Sequence, residues 1–501
     1  MNQELADLYT VLGVGRNAAP DEIEAAFAAW NRRAGAGEVI DEATWERLRY
    51  AHDVLSNPLR REVYDSLVTE AAGSSVTLDV ALSVEQLPLA GTPHLVYALL
   101  TLSPHTAAGE PRRPLNVSLV IDRSTSMRGE RLEKVISAVE LLLDKLGRDD
   151  TLSLVSFSDR AEVVLPAAAL GATHHADPET AAAWRDPHRR LRAVAASGGT
   201  EIYQGLRAGL EQLGRAVAGR AAIGQAGTTP QTSHLILMTD GHTYGDADQC
   251  LRLAAEAAAR GIGITAFGLG ADWNDTFLDA LVAPSGGQSH YIERPAEIMS
   301  HLEGRLQGLG AIHARNLSLR RAWPAQFTLR AAFKLAPYPQ PLALDADPLP
   351  LGDLEGRSPV VVLLELLAAP QPIAARFGIA LEVRYTSAGG AEETTDRTVR
   401  LVAGQGAENP PPPPALIEAV RLFTLYRMQE KAWEEAQSGK PDTAAARMRR
   451  LTTRYMETGD LRLARQAQLE AQQLARQGDM SPEGRKLLKY GTRSLMRPVE
   501  S

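Results

Sequence analysis

Residues 122 to 126 read DRSTS and follow directly on the apolar run LNVSLVI. A short apolar run of this kind is the signature of a buried strand, so Asp122, Ser124 and Ser126 should leave one strand end together. A carboxylate and two hydroxyls at alternate positions can reach one ion from a single loop. Oxygen donors alone suit a hard divalent cation such as Mg²⁺, which prefers about six of them. Taken singly the pattern is also ordinary N-cap chemistry, so other loops must join it to make a site.

Catalytic companions are sparse. His174, His175 and His188 fall in GATHHADPETAAAWRDPHRR without the spacing or the cysteines of a zinc site. His242, in TDGHTYGD, reads as a hydrogen-bonding loop residue. No glycine-rich phosphate loop with its lysine and no nucleophile elbow is present in the sequence. A metal-dependent hydrolase would need a base or nucleophile beside an open metal position, and a turnover screen with Mg²⁺ or Mn²⁺ would expose one. The expectation is a chain that is not an enzyme.

With 501 residues, 44% of them hydrophobic and 23% charged, the chain is globular in composition and too long for one core. Three or four domains are expected. A net charge of -8 argues against nucleic acid or an anionic membrane as the main partner. The start MNQELADLYT has no basic segment leading into an apolar one, and no stretch approaches the roughly 18 apolar residues of a membrane span. A cytoplasmic location is therefore expected. Cys250, the single cysteine, precludes an intrachain disulfide and reads as a buried thiol in the helix DADQCLRLAAEAAAR.

Residues 1 to 70 carry DLYTVLGV, APDEIEAAFAAWNRR and ATWERLRYAHDVLSNPLRREVYD, a short helix and two longer ones. Leu8, Tyr9, Leu12, Gly13, Ile23, Phe27, Ala51, Leu55, Pro58, Arg60, Tyr64 and Asp65 make the segment resemble the J-domain of DnaJ-type co-chaperones. That family stimulates its heat-shock partner through a His-Pro-Asp turn, where this chain reads NRRAGAGEVIDEA. The resemblance therefore implies a degenerate J-like module with a docking role. Arg32 and Arg33 fit a solvated helix end.

Residues 76 to 112 alternate apolar and polar positions around PLAGTP, and a similar pattern returns over 311 to 405 in NLSLRRAW, FTLRAAF, PVVVLLELL, RFGIALEVRY and DRTVRLV. Two half-sheets bury their apolar faces best against each other, so one β-sandwich interrupted by a central unit is expected. That unit, 113 to 310, alternates short apolar runs with helical ones and reads as a doubly wound, Rossmann-like α/β sheet. The whole is a multidomain α/β chain.

At the strand ends the central unit resembles the von Willebrand factor type A (VWA) domain. That family's metal-ion-dependent adhesion site (MIDAS) uses Asp-x-Ser-x-Ser, a Thr in a second loop and an Asp after the fourth strand. The resemblance implies metal ligation by Asp122, Ser124 and Ser126, by Thr200 in SGGTEIYQG and by Asp240 in LILMTDG. Gly198 and Gly199 would let the Thr200 loop approach closely. It further implies Mg²⁺, with Mn²⁺ or Ca²⁺ as substitutes, and a partner protein supplying an Asp or Glu carboxylate to complete the shell. In such domains ligation can favour one position of the last helix. The function expected is a metal-dependent interaction scaffold. Because bacterial A-domain proteins often work beside MoxR-type AAA ATPases, an adaptor for such an ATPase is the alternative.

Residues 171 to 196 and 219 to 233 read as elaborated loops, the first leading into Thr200 either as a border of the metal face that helps choose the partner or as a solvated excursion. After the Pro-rich linker 406 to 415, a stiff spacer, three helices are expected over 416 to 480 as a small bundle or as a pair resembling a tetratricopeptide repeat with an extra helix, with Leu422, Leu425, Tyr426 and Met428 as core. Residues 481 to 501 read as a frayed basic tail.

Overall fold

Apolar residues three and four apart shape the N-terminal unit, residues 1–74, into helices α1 (Leu8–Leu12), α2 (Pro20–Gly35) and α3 (Glu42–Leu55). Pro20 opens α2, Asp21 and Glu22 lie in its first turn, and Arg32 and Arg33 in its last, matching the helix dipole at both ends. Asp41 caps α3 by accepting from Thr44 N at 2.9 Å. Leu8, Leu12, Ile23, Leu48, Ala51 and Leu55 make the core, with Phe27 packed on it. The computed structural model describes residues 8–12, 14, 20–35, 41–57, 60–61, 75–105, 113–222, 231–241, 243, 245–270, 272–356, 358–371, 373–387, 389–404 and 409–496. Gly13, Pro58, Tyr64 and Asp65 of the J-like set lie outside them, as do residues 36–40 of the connection that lacks His-Pro-Asp.

The second unit, 75–501, opens with strands β1 (Val76–Leu82), β2 (Gln86–Pro88) and β3 (His94–Pro104). Strand β4 (Leu115–Asp122) follows, and all eight of its residues are buried, as a strand covered on both faces requires. With β5 (Thr151–Phe157), β6 (Ala161–Ala169), β7 (Thr232–Thr239), β8 (Gly263–Leu269) and β9 (Gln288–Ile292) it forms a six-stranded sheet of order β6-β5-β4-β7-β8-β9. Only β6, on the edge, runs antiparallel. Helices α4 (Glu130–Leu143), α5 (Pro178–Ala183), α6 (Pro187–Arg192), α7 (Ile202–Ala222), α8 (Ala247–Ala259), α9 (Asp275–Val282) and α10 (Ile298–Gly310) connect the strands. Leu119 and Ile121 of β4 pack with α4 and α10 on one face, and Val120 packs with α7 on the other. The alternation of a strand thus covers both faces of the sheet.

Residues 171–196, expected as a solvated excursion, are partly packed through the short helices α5 and α6. Thr180, Ala183 and Leu191 are buried, and Trp184 Nε1 donates to Pro166 O at 2.8 Å. Of the loop at 219–233, residues 223–230 lie outside the described ones.

Strands β10 (Ile312–Ala322), β11 (Phe327–Ala336), β12 (Gln340–Pro341), β13 (Leu349–Glu355), β14 (Val360–Ala368), β15 (Ala375–Ser387) and β16 (Glu392–Gly404) join the first three in two five-stranded sheets. Their orders are β1-β3-β14-β11-β12 and β13-β10-β15-β16-β2, and residues of both fill one apolar core.

Four helices close the unit: α11 (Pro414–Gln437), α12 (Pro441–Glu457), α13 (Leu461–Gln477) and α14 (Pro482–Leu495). Helix α11 begins inside the expected linker, where a proline at the first helical position loses no hydrogen bond. Asn409 ties the preceding stretch to β2, its side chain accepting from Glu85 N and Gln86 N at 2.9 and 2.8 Å. The frayed basic tail is corrected outright. Ser481 caps α14, whose Lys489 and Arg493 are buried against Asp275 and Asp279 and whose Lys486 is buried over the Trp273 ring. Leu422, Leu425 and Tyr426 are core residues and Met428 packs on them, and this core extends onto Leu99, Phe333 and Leu363 of the first sheet.

Candidate metal centre at the strand ends

Two buried carboxylates anchor the site. Asp122 closes β4, flanked by parallel β5 and β7, and its Oδ1 accepts from Ser124 N at 2.8 Å. Its Oδ2 accepts from Thr239 Oγ1, at the end of β7, at 2.6 Å. Asp240 follows Thr239, and its Oδ1 accepts from Ser126 Oγ at 2.7 Å. Since that hydrogen is committed, the 3.0 Å contact between the two serine hydroxyls has Ser124 donating to Ser126. Asp122, Ser124, Ser126 and Asp240 thus form one chain of hydrogen bonds across two strand ends. Burial pushes the Asp122 carboxyl up to about 6, with the Asp240 charge adding and the bonds from Thr239 and Ser124 opposing.

Thr200 reaches the same place from a third loop. Thr125 N and Oγ1 donate to Gly198 O at 3.1 and 2.9 Å, and Ser197 N donates to Arg123 O at 2.7 Å, so the loop is stitched along the serine run. Gly199 N donates to Asp159 Oδ1 at 2.8 Å, and Glu201 N to Ser158 O at 2.9 Å. Thr200 is buried beside Gly241, where a Cβ would stand 3.1 Å from its Oγ1. All five predicted residues therefore meet at one end of the sheet, with Ser126 exposed and the others covered.

Three functional residues escape the sequence reading: Thr239, Asp159 and Arg131. Thr239 hides in the apolar run LILMT, although a polar residue ending a buried strand is a signal in itself. Asp159 stands two residues beyond the end of β5, where a carboxylate at the carboxyl end of a buried strand is a signal of the same kind. Arg131 Nη1 donates to Asp240 Oδ2 at 2.5 Å. Among the expected bystanders, His188 Nδ1 stands 3.7 Å from Glu140, while His242 and the side chains of His174 and His175 lie outside the description.

The donor set fits a hard divalent cation. It offers two carboxylates and three hydroxyls and no nitrogen or sulfur, and among the described residues no group of three or more His, Cys, Asp or Glu is placed to hold a metal. Two buried carboxylates facing a single arginine also leave a deficit of positive charge, which a burial this deep disfavours. Beside Ser126 a cleft of about 510 Å³ opens, lined by Arg128, Arg131, Gly270, Glu293 and Ile298 among others.

The six-stranded sheet and its flanking helices form a VWA-type α/β fold, and the comparisons agree. Residues 116–300 match the family model of the von Willebrand factor type A domain, and residues 414–498 match that of the Sll0103-like, C-terminal alpha-helical domain. The uncharacterized protein sll0103 of Synechocystis sp. is 33% identical over 209 residues, 42% of this chain and 44% of that protein. Inter-alpha-trypsin inhibitor heavy chain H4 of Bos taurus is 26% identical over 195 residues, 38% of this chain and 20% of that one. The chain thus spans less than half the length of the curated relatives it matches. Among solved structures, a von Willebrand factor type A protein from Catenulispora acidiphila shares the fold over 84% of this chain and 96% of its own, with TM-score 0.62 and 17% identity. The ArnB paralog VWA2 from Sulfolobus acidocaldarius does so over 85% and 98%, with TM-score 0.51 and 14% identity. Among the described residues no helix is long and apolar enough to cross a membrane.

Proposed function

We propose that the chain is a non-enzymatic interaction scaffold whose VWA domain captures a partner protein through a divalent cation. The observation that carries this reading is the hydrogen-bonded chain Asp122–Ser124–Ser126–Asp240, with Thr200 buried beside Gly241 and Ser126 alone of the five exposed. Asp122, Ser124, Ser126, Thr200 and Asp240 would hold Mg²⁺, with Mn²⁺ or Ca²⁺ as substitutes. When bound, the ion supplies an electrophilic point, because three of its five protein ligands are neutral hydroxyls. The chain's own residues do the rest. Asp159 and Gly198 hold the Thr200 loop, Thr239 orients Asp122, and the cleft beside Ser126 admits an Asp or Glu side chain from the partner. In this reading the paired sheets are a β-sandwich carrying the VWA domain as an insertion, and the N-terminal helices are a J-like docking module.

Affinity purification with wild type and Asp122→Ala, each with and without chelator, tests the mechanism. Wild type should retain a partner that chelator releases, and the variant should lose it while unfolding at the wild-type temperature. Equal capture by a folded Asp122→Ala chain would overturn the metal bridge.

A further inference from the structure

Arg131 belongs to none of the loops that supply the five ligands, yet its guanidinium lies inside the site. It sits in the first turn of α4, and Nη1 takes Asp240 Oδ2, the oxygen that Ser126 leaves free. Gly270, with φ of 72°, makes room for it: a Cβ there would stand 2.9 Å from Nη2 and 3.2 Å from Cζ. Nη2 also stands 4.0 Å from Asp272 on the same loop. The guanidinium is therefore seated between the loops after β7 and β8, and a third of the side chain remains exposed on the wall of the cleft beside Ser126.

Formal charge gives this seat a consequence. Asp122 and Asp240 alone would neutralise a divalent ion completely. Counting the two buried carboxylates and the arginine bonded to one of them, the loaded site keeps one positive charge and the empty site holds one negative charge rather than two, since the exposed Asp272 at 4.0 Å is screened by water. A built-in cation of this kind competes with the ion for Asp240 and favours an anion at the open position.

We propose that Arg131 is the residue that sets ligand specificity at this site: it weakens metal binding and in exchange leaves the loaded site selective for a carboxylate over neutral oxygen ligands. The proposal rests on the metal reading above. The guanidinium makes one bond to Asp240, from Nη1 to Oδ2, so a lysine should preserve the charge and part of the geometry.

Direct titration of the full chain with Mn²⁺, read from the electron paramagnetic resonance of the free ion, tests it without any partner. Wild type, Arg131→Gln, Arg131→Lys and Asp122→Ala are compared, with and without acetate, after thermal melts establish that each is folded. Arg131→Gln should bind Mn²⁺ about tenfold or more tightly than wild type, as the loss of a unit charge at contact distance implies. Acetate should tighten Mn²⁺ binding in wild type and Arg131→Lys and do so less in Arg131→Gln. Unchanged or weaker Mn²⁺ affinity in folded Arg131→Gln, or an equal acetate effect, overturns the role of Arg131 and leaves the metal reading standing. Binding in wild type and Arg131→Gln no better than in Asp122→Ala fails the metal reading itself, and the proposal falls with it.

Discussion

At position 198 a single added carbon would collide with the Asp159 carboxylate, in a backbone whose φ of 75° already disfavours any side chain. The glycine is what lets the Thr200 loop lie between the serine run and Asp159. Gly198→Ala should therefore cost about 1–2 kcal/mol from backbone strain alone, measured by chemical denaturation. It should also weaken Mn²⁺ binding by displacing Thr200, and a destabilised chain with wild-type Mn²⁺ affinity would remove Thr200 from the ligand set. The residues legible in sequence at this scale are those that lie close along the chain or match a family pattern: Asp122, Ser124 and Ser126 by spacing, Thr200 and Asp240 by resemblance. Asp159, Thr239 and Arg131 were not legible, because each acts on a residue brought to it only by the fold. Arg131 in particular lies 109 residues from Asp240 in the chain, and its sequence neighbours suggest nothing beyond a helix start.

Helix α14 shows the same limit for an element. Read in sequence, Lys489 and Arg493 belong to a basic tail, since the charges that pair with them lie far upstream, 214 residues for the pair Lys489 and Asp275. In the fold, Arg485 and Lys489 reach Asp275 at 2.8 and 2.6 Å, and Lys489 and Arg493 reach Asp279 at 2.8 and 2.7 Å. Burial alone would raise the Asp279 carboxyl, but Arg493 and Lys489 outweigh it and hold it well below the usual range. A depressed carboxylate contributes stability that is fully present above its unfolded value of about 3.9 and is lost as pH falls below that. Urea titrations should show the chain losing stability below about pH 4, with Asp279→Asn flattening that part of the profile. At neutral pH the same variant should lose about 3–5 kcal/mol, the cost of stranding buried cations. A neutral-pH loss well under 1 kcal/mol would mean that α14 is held by its apolar contacts alone. The same helix places Tyr490 Oη 3.0 Å from Ser289 on β9, and Arg462 of α13 pairs with Glu293 at 2.7 Å on the rim of the cleft. The helices at the end of the chain therefore grip the segment leading into α10.

For the molecule from residue 75 onward, the decisive sequence is VVVLLELLA in β14. A strand facing a core on one side and water on the other alternates, whereas this one is apolar at nearly every position and must be covered twice. Val360, Val362, Leu364 and Leu366 point into the core between the two five-stranded sheets, while Leu363 joins Leu99, Phe333 and Leu335 under the C-terminal helices. The sequence reading of a small helical bundle holds for the helices but does not reveal this contact, because helical periodicity reports that a face is apolar but not what it covers. Each of those four side chains is nearly fully buried, and exposing a large apolar side chain costs about 1.5–3 kcal/mol. A chain stopped after residue 404 would uncover all four on one face of the sheet and would leave Asp275 and Asp279 without their cations. It should melt lower than the full chain, bind a hydrophobic dye before unfolding and self-associate in sedimentation velocity. Coexpression with residues 409–501 as a separate chain should restore the full melting temperature, because the same faces would meet again. A truncated chain that stays monomeric and dye-free at the full melting temperature would mean that the helices rest on the sheet without stabilising it.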